Sequence, residues 1–217
     1  MTEFEASPAS EADESPTWKI VLGLVVQATL FTLLGIYLWY ESDRPLAEFV
    51  EVDGRAIMLG MALGGIMIAL AYCVFKGLPT VGERLIRMQA KTYAFLGDRL
   101  SLPIIVLISI GAGIGEEALF RGGVQTLLTD YIGPLGAITV ASAVFAAIHL
   151  SKPPIMALIF AIGVLFGVVY WITGSLLIVM VAHTVYDIFA LDWLLKEFRR
   201  LGCMSNGKSM SDRDKDA

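Results

Sequence analysis

The chain has 217 residues, of which 56% are hydrophobic and only 17% charged, and its mean hydropathy is +0.71. Soluble domains carry about a quarter charged residues, so the composition excludes an ordinary water-soluble domain and points to an all-α, polytopic membrane helix bundle. The net charge of -5 resides largely in the N-terminal tail and the first loop, so it gives no reason to expect a nucleic-acid partner.

Taken in order, residues 1-17 hold Glu3, Glu5, Glu11, Asp13 and Glu14 with no basic residue. Such a stretch buries too little apolar surface to fold and is expected to be a disordered acidic tail. It is also the wrong flank for a signal peptide, so the apolar run that follows is expected to be a retained span. That first span runs from about Trp18 to Tyr40, with aromatic anchors at both ends. An acidic loop, Glu41 to Arg55, leads to a second span over about Ala56 to Leu78. Its Gly60, Gly64 and Gly65 offer a close-packing face. From Pro79 to Leu100, Val81, Leu85, Met88 and Phe95 recur at helical spacing. Glu83, Arg84, Arg87, Lys91 and Arg99 point elsewhere. The pattern predicts a basic amphipathic helix on the membrane surface. Residues 18-100 thus form an N-terminal unit of two spans and an interfacial helix.

Residues 101-195 are expected to form the catalytic bundle. A third span starts near Leu102 and extends to about Leu128; Tyr131, Gly133 and Pro134 make a turn. A fourth covers about Leu135 to Leu150 and is stopped by Lys152, Pro153 and Pro154. A fifth covers about Ile155 to Trp171, Thr173 to Ser175 turn the chain, and a sixth covers about Leu176 to Leu195. Residues 202-217 are expected to be a disordered polar tail. The expected architecture is therefore about six transmembrane helices plus one amphipathic interfacial helix. Cys73 and Cys203 follow no CxxC or zinc-finger spacing and read as unpaired structural thiols. With six spans and the N-terminus inside, thirteen of the 16 Lys and Arg lie on the inner side and two, Arg44 and Arg55, on the outer. That asymmetry predicts both termini in the cytoplasm.

The stretch Gly111 to Leu128 carries Glu116, Glu117 and Arg121 inside an apolar run. Charges inside a bilayer are costly and usually functional. Glu117 and Arg121 are four apart on one helical face, with the acid N-terminal, which makes them natural ion-pair partners. Glu116 points elsewhere without a local basic partner, as suits a general base or acid. The chain's only histidines, His149 and His183, also lie in spans, His149 four residues after Phe145. His183 and Asp187 share a face of the sixth span. Hydrolysis fits this set: Glu116 and His149 polarise one water, and His183 with Asp187 holds the oxyanion that develops on a scissile carbonyl. There is no GxSxG elbow and no HExxH. A zinc site of Glu116, His149 and His183 is conceivable by ligand type, but the spacing does not specify one, and no metal or other cofactor is expected.

Glu116 to Arg121, read EEALFR, resembles the EExxxR motif of the CPBP family, the CAAX proteases and bacteriocin-processing enzymes, also called Abi. Phe145 to His149 resembles its FxxxH motif, and His183 to Asp187 its HxxxN or HxxxD motif. The three occur in the family's order, and the resemblance covers about Leu100 to Leu195. It implies an intramembrane glutamic endopeptidase. Glu116 and His149 would activate water, His183 and Asp187 would stabilise the oxyanion, and Glu117, Arg121 and Phe145 would support them. The eukaryotic CAAX endopeptidases of this family carry Asn where this chain has Asp187. An ionised carboxylate cannot donate to an oxyanion, so Asp187 is either protonated or orients His183. The implied substrates are membrane-embedded or lipidated proteins or peptide precursors, within the lipid bilayer of a prokaryotic cell membrane. The alternatives are a non-proteolytic membrane scaffold, a bacteriocin-immunity protein, and a zinc-dependent membrane metalloprotease.

Overall fold

The computed structural model describes residues 17–93 and 100–203. Both tails, Phe95 and Arg99 lie outside the described residues. Among those described there are helices and no strands. They are α1 (Thr17–Glu41), a 3-10 turn (Leu46–Glu48), α2 (Gly54–Gly77), α3 (Pro79–Tyr93), α4 (Leu102–Glu117), a π-helical segment (Ala118–Gln125), α5 (Thr126–Ile148), α6 (Pro153–Thr173) and α7 (Leu176–Arg200). Five continuous helical stretches are long and apolar enough to cross a membrane, and the longest is the 47-residue run Leu102–Ile148.

That run is two passes. Gly133 adopts φ 71°, ψ 169° within it, followed by Pro134. A left-handed φ suits glycine, and proline cannot continue the helix past it. The chain folds back there: Phe120 and Phe145, on opposite sides of the break, meet edge to face with centroids 5.2 Å apart. The expected turn at Tyr131, Gly133 and Pro134 is thus the tip of a hairpin, and six passes result. The other ends follow familiar chemistry. Asp53 caps α2 by accepting from the backbone N–H groups of Arg55 and Ala56, both at 3.2 Å. Pro153 opens α6. Gly174 closes it in the left-handed conformation, φ 66°.

Helix α7 is the centre of the bundle, with α2 and α4 against it. A Cβ on Gly60 would sit 2.7 Å from the Ile178 carbonyl oxygen, and one on Gly64 2.9 Å from Val185. The small-residue face of α2 therefore lets backbone approach backbone, while Gly65 faces open space. Gly113 does the same for α4, where a Cβ would lie 2.8 Å from the Met180 carbonyl oxygen. At one end of the bundle, Arg44 makes a two-pronged pair with Asp130, both bonds 2.9 Å. There too Trp39 stacks edge to face on Phe49 at 5.5 Å. At the other end, Ile86 and Ala90 of α3 are buried against Leu194, Leu195 and Phe198 of α7.

One expectation gains a detail and another is corrected. Helix α3 forms, but its inward face runs through Gly82, Ile86 and Ala90, while Val81 is exposed and Leu85 and Met88 are half-buried. One turn of packing on α7 and Phe75 outcompetes the stripe that gives the strongest apolar periodicity. The third pass is not one regular α-helix to Leu128. It widens into a π-helical segment over Ala118–Gln125, at the acidic motif itself. Gly122 and Gly123 weaken the α-helical preference there. The Thr126 hydroxyl donates to the Arg121 carbonyl oxygen, 2.8 Å away and five residues back.

Candidate active site

The hairpin sets the depth of the site. Glu117 and His149 are equidistant along the chain from Gly133, one before it and one after, so the fold-back brings them level. The pass from Leu102 to Ile132 is roughly 45 Å long at the α-helical rise, more than the ~30 Å hydrocarbon core. The return pass to Ile148 is only roughly 22 Å. The fold-back therefore places Glu117 and His149 at about the same depth, roughly 24 Å from the hairpin tip.

Glu117 is the hub of the polar cluster. Its side chain is 0% exposed. Its Oε1 accepts from Arg121 Nη1 at 3.1 Å and lies 2.7 Å from His183 Nδ1. Facing Arg121, the Glu117 carboxylate is an acceptor, so the His183 Nδ1 carries the proton. Arg121 is 1% exposed. Its Nη2 donates to the Gly163 carbonyl oxygen at 2.9 Å. Its guanidinium lies over the rings of Phe145 and Phe166, 4.8 and 5.7 Å from their centroids. Phe166 in turn stacks on the His183 imidazole at 5.4 Å. The expected pairing of Glu117 with Arg121 is present, and Glu117 also holds His183.

The other face of His183 is turned to two further carboxyls. Its Nε2 lies 3.8 Å from Glu116 Oε2 and 3.5 Å from Asp187 Oδ2. With Nδ1–H donating to Glu117, it is Nε2 that faces these two carboxyls. Nε2 therefore has both carboxyls for neighbours, and a proton held there would face whatever enters between them. His149 caps the end of α5, its Nδ1 2.7 Å from the Phe145 carbonyl oxygen. A carbonyl only accepts, so Nδ1 carries the proton and Nε2 offers a lone pair.

Glu116, His149, His183 and Asp187, from three helical elements, all line one cavity of about 340 Å³. Away from these groups the lining is mostly apolar, with Ile159 and Ile162 of α6 and Phe189 of α7 among its walls. It extends to Leu85 and Gln89 of α3 and to Trp193 of α7, the end of the bundle where most basic residues lie. Glu117, Arg121 and Phe145 are 0%, 1% and 2% exposed. Phe145 nevertheless contributes to the cavity wall. Among the described residues no group of three or more His, Cys, Asp or Glu is arranged to hold a metal ion.

Sequence reasoning missed two contributors. Phe166 is one apolar residue among many in α6, and nothing in its spacing marks it. Gln125 donates to the Gly167 carbonyl oxygen at 2.9 Å, repeating one turn later the bond from Arg121 to Gly163. The matched four-residue spacings, Arg121 with Gln125 and Gly163 with Gly167, are the signal that was available. A Cβ on Gly167 would sit 2.8 Å from Gln125 Oε1, and one on Gly163 3.0 Å from the Ser142 Cβ, so glycine keeps α6 close to its neighbours at both positions.

Residues 98–189, which include Glu116, His149, His183 and Asp187, match the family model for type II CAAX prenyl endopeptidase Rce1-like proteins. The chain is also 30% identical, over 167 residues, to a protein of Bacillus subtilis (strain 168) printed as "Uncharacterized protein YpbD". The alignment covers 75% of this chain and 82% of that protein. The chain belongs to the Rce1-like CAAX protease family. Membership and the apolar helices together make it an integral membrane endopeptidase of the CAAX-protease type. No solved structure matches the chain. The three motifs noted in the sequence lie on α4 with the π-helical segment, on the end of α5, and on α7.

Proposed function

We propose that the chain is an intramembrane glutamic endopeptidase that cuts membrane-embedded or lipidated proteins or peptide precursors. The observation that carries this reading is the convergence of Glu116, His149, His183 and Asp187 on one cavity among transmembrane helices. The Glu116 carboxylate and the His149 Nε2 lone pair accept hydrogen bonds from one water and take its proton as it attacks the scissile carbonyl. A proton held at His183 Nε2 or Asp187 faces the oxyanion that forms. Asp187 thereby does the work of the Asn of the eukaryotic relatives, provided it or His183 holds that proton. Glu117 and Arg121 fix His183, and Phe145 fixes His149 through its carbonyl. The apolar walls suit the apolar residues or the lipid of a membrane-borne substrate. Collapse of the tetrahedral intermediate returns the proton to the leaving amine.

We take the reaction to be independent of metal and both termini to be cytoplasmic, as the distribution of Lys and Arg supports. The test is a proteoliposome assay with a lipidated peptide, read by mass spectrometry with and without a strong chelator. Cleavage that survives chelation supports the reading. Cleavage lost to the chelator and restored by zinc moves the chain to the metalloprotease reading. Binding of membrane peptides without any cleavage favours a scaffold or immunity protein.

A further inference from the structure

We propose that Arg84, Arg87 and Lys152 form a headgroup site for an anionic phospholipid, bridging α3 to the start of α6 outside the catalytic cavity. This does not rest on the catalytic reading. The three cations line one cleft together with Thr80 and Met88, and the only acid on its wall is Glu83. The Glu83 carboxylate is already engaged by Arg200, 3.3 Å away. Arg200 also pairs with Glu197 at 2.8 Å. Arg84 and Lys152 have no hydrogen bond or ion pair among the described residues, and Arg87 has only a weak contact with Cys203 Sγ at 3.9 Å. The cleft therefore holds an excess of positive charge that nothing described in the protein neutralises. The first turn of α3, at Pro79 and Thr80, adds the positive end of its helix dipole.

Apolar surface beside the cations favours a phospholipid over a soluble anion. Leu78 and Val81, which flank Pro79 and Thr80 of the cleft wall in sequence, are 54% and 47% exposed. They give acyl chains a surface next to a site for the phosphate, at the bundle end where basic side chains meet the interface. The location gives the lipid a structural consequence. Leu85, Ile86 and Gln89 of α3 and Ile155 and Leu158 of α6 line the catalytic cavity, while Arg84, Arg87 and Lys152 lie just outside the same gap. A phosphate held by both elements ties α3 across it.

The full-length protein is reconstituted in nanodiscs, and the motionally restricted fraction of spin-labelled phosphatidylglycerol is compared with that of spin-labelled phosphatidylcholine. The wild type is expected to prefer phosphatidylglycerol. Each of Arg84→Gln, Arg87→Gln and Lys152→Gln lowers the preference about fivefold, and Lys76→Gln leaves it unchanged. A triple variant that keeps the wild-type preference for phosphatidylglycerol overturns the site. Displacement of the lipid by millimolar inorganic phosphate overturns the assignment to a lipid in favour of a soluble anion. A second measurement needs no variant: hydrogen exchange across 79–93 in the wild type. It should slow when phosphatidylglycerol replaces phosphatidylcholine, and unchanged exchange contradicts the bridge.

Discussion

Glu117 and Arg121 form a buried ion pair whose removal can be read quantitatively. Both side chains are essentially inaccessible, and their contact is 3.1 Å. Arg121→Met removes a cation held between two aromatic rings. It leaves Glu117 with His183 alone, and the Glu117 Oε2 already lacks a hydrogen-bond partner among the described residues. Glu117→Gln leaves the guanidinium with neutral acceptors only. Breaking one side of a buried pair costs about 3–5 kcal/mol, so each single variant should lower Tm by roughly 6 °C or more on the usual scale for a chain of this size. Removing both leaves no orphan charge, so the double variant should be more stable than the sum of the singles predicts, by about 1–3 kcal/mol. Cleavage should not recover with stability, because the double variant also loses the carboxylate that receives His183 Nδ1–H. The assay is thermal unfolding in mild detergent beside cleavage in vesicles, for wild type, both singles, the double, and Glu116→Gln paired with Arg121→Met. Strictly additive losses refute the pairing argument. Coupling of Arg121 to Glu116 in place of Glu117 reverses the roles assigned to the two glutamates.

Further outcomes follow from single contacts. Gly113→Leu should prevent close approach of α4 to α7 and cost more than about 2 kcal/mol by overpacking, seen as lost yield and a lower Tm. Arg44→Gln should change Tm by little, since an exposed pair such as Arg44–Asp130 contributes about 0–1 kcal/mol. Asp187→Asn should keep measurable cleavage, because an amide can donate to the oxyanion. Asp187→Ala should lower the rate about 10²–10³-fold if a proton held there serves the oxyanion, and equal rates for the two variants would sink that role. A single cysteine at Glu48 and another at Lys208 should label from opposite sides of the membrane; equal labelling from outside contradicts six passes with cytoplasmic termini.

The passes were legible because apolar length and turn residues speak directly. Gly133 with Pro134, and Lys152 with Pro153 and Pro154, mark the chain reversals in the sequence as they do in the structure. The pair of Glu117 with Arg121 was legible from four-residue spacing, which survives the widening of the helix. That widening itself was not, since a π-helical segment differs from an α-helix by a single residue of register and leaves no periodic trace. The role of Glu117 as acceptor for His183 was equally hidden. Local spacing ties His183 to Asp187, whereas the contact with Glu117 spans 66 residues and depends on Gly113 letting α4 reach α7. Helix α3 shows the converse limit. Its amphipathicity was plain, but which stripe turns inward was decided by Phe75 and the end of α7.

The central claim is that Glu116, not Glu117, activates the water. It is tested most directly by the single-turnover cleavage rate of a lipidated peptide in vesicles containing wild type or Glu116→Gln, with Tm measured on the same preparations. The account predicts a fall of at least about 10²–10⁴-fold with Tm unchanged. A Glu116→Gln protein that cleaves at the wild-type rate contradicts it.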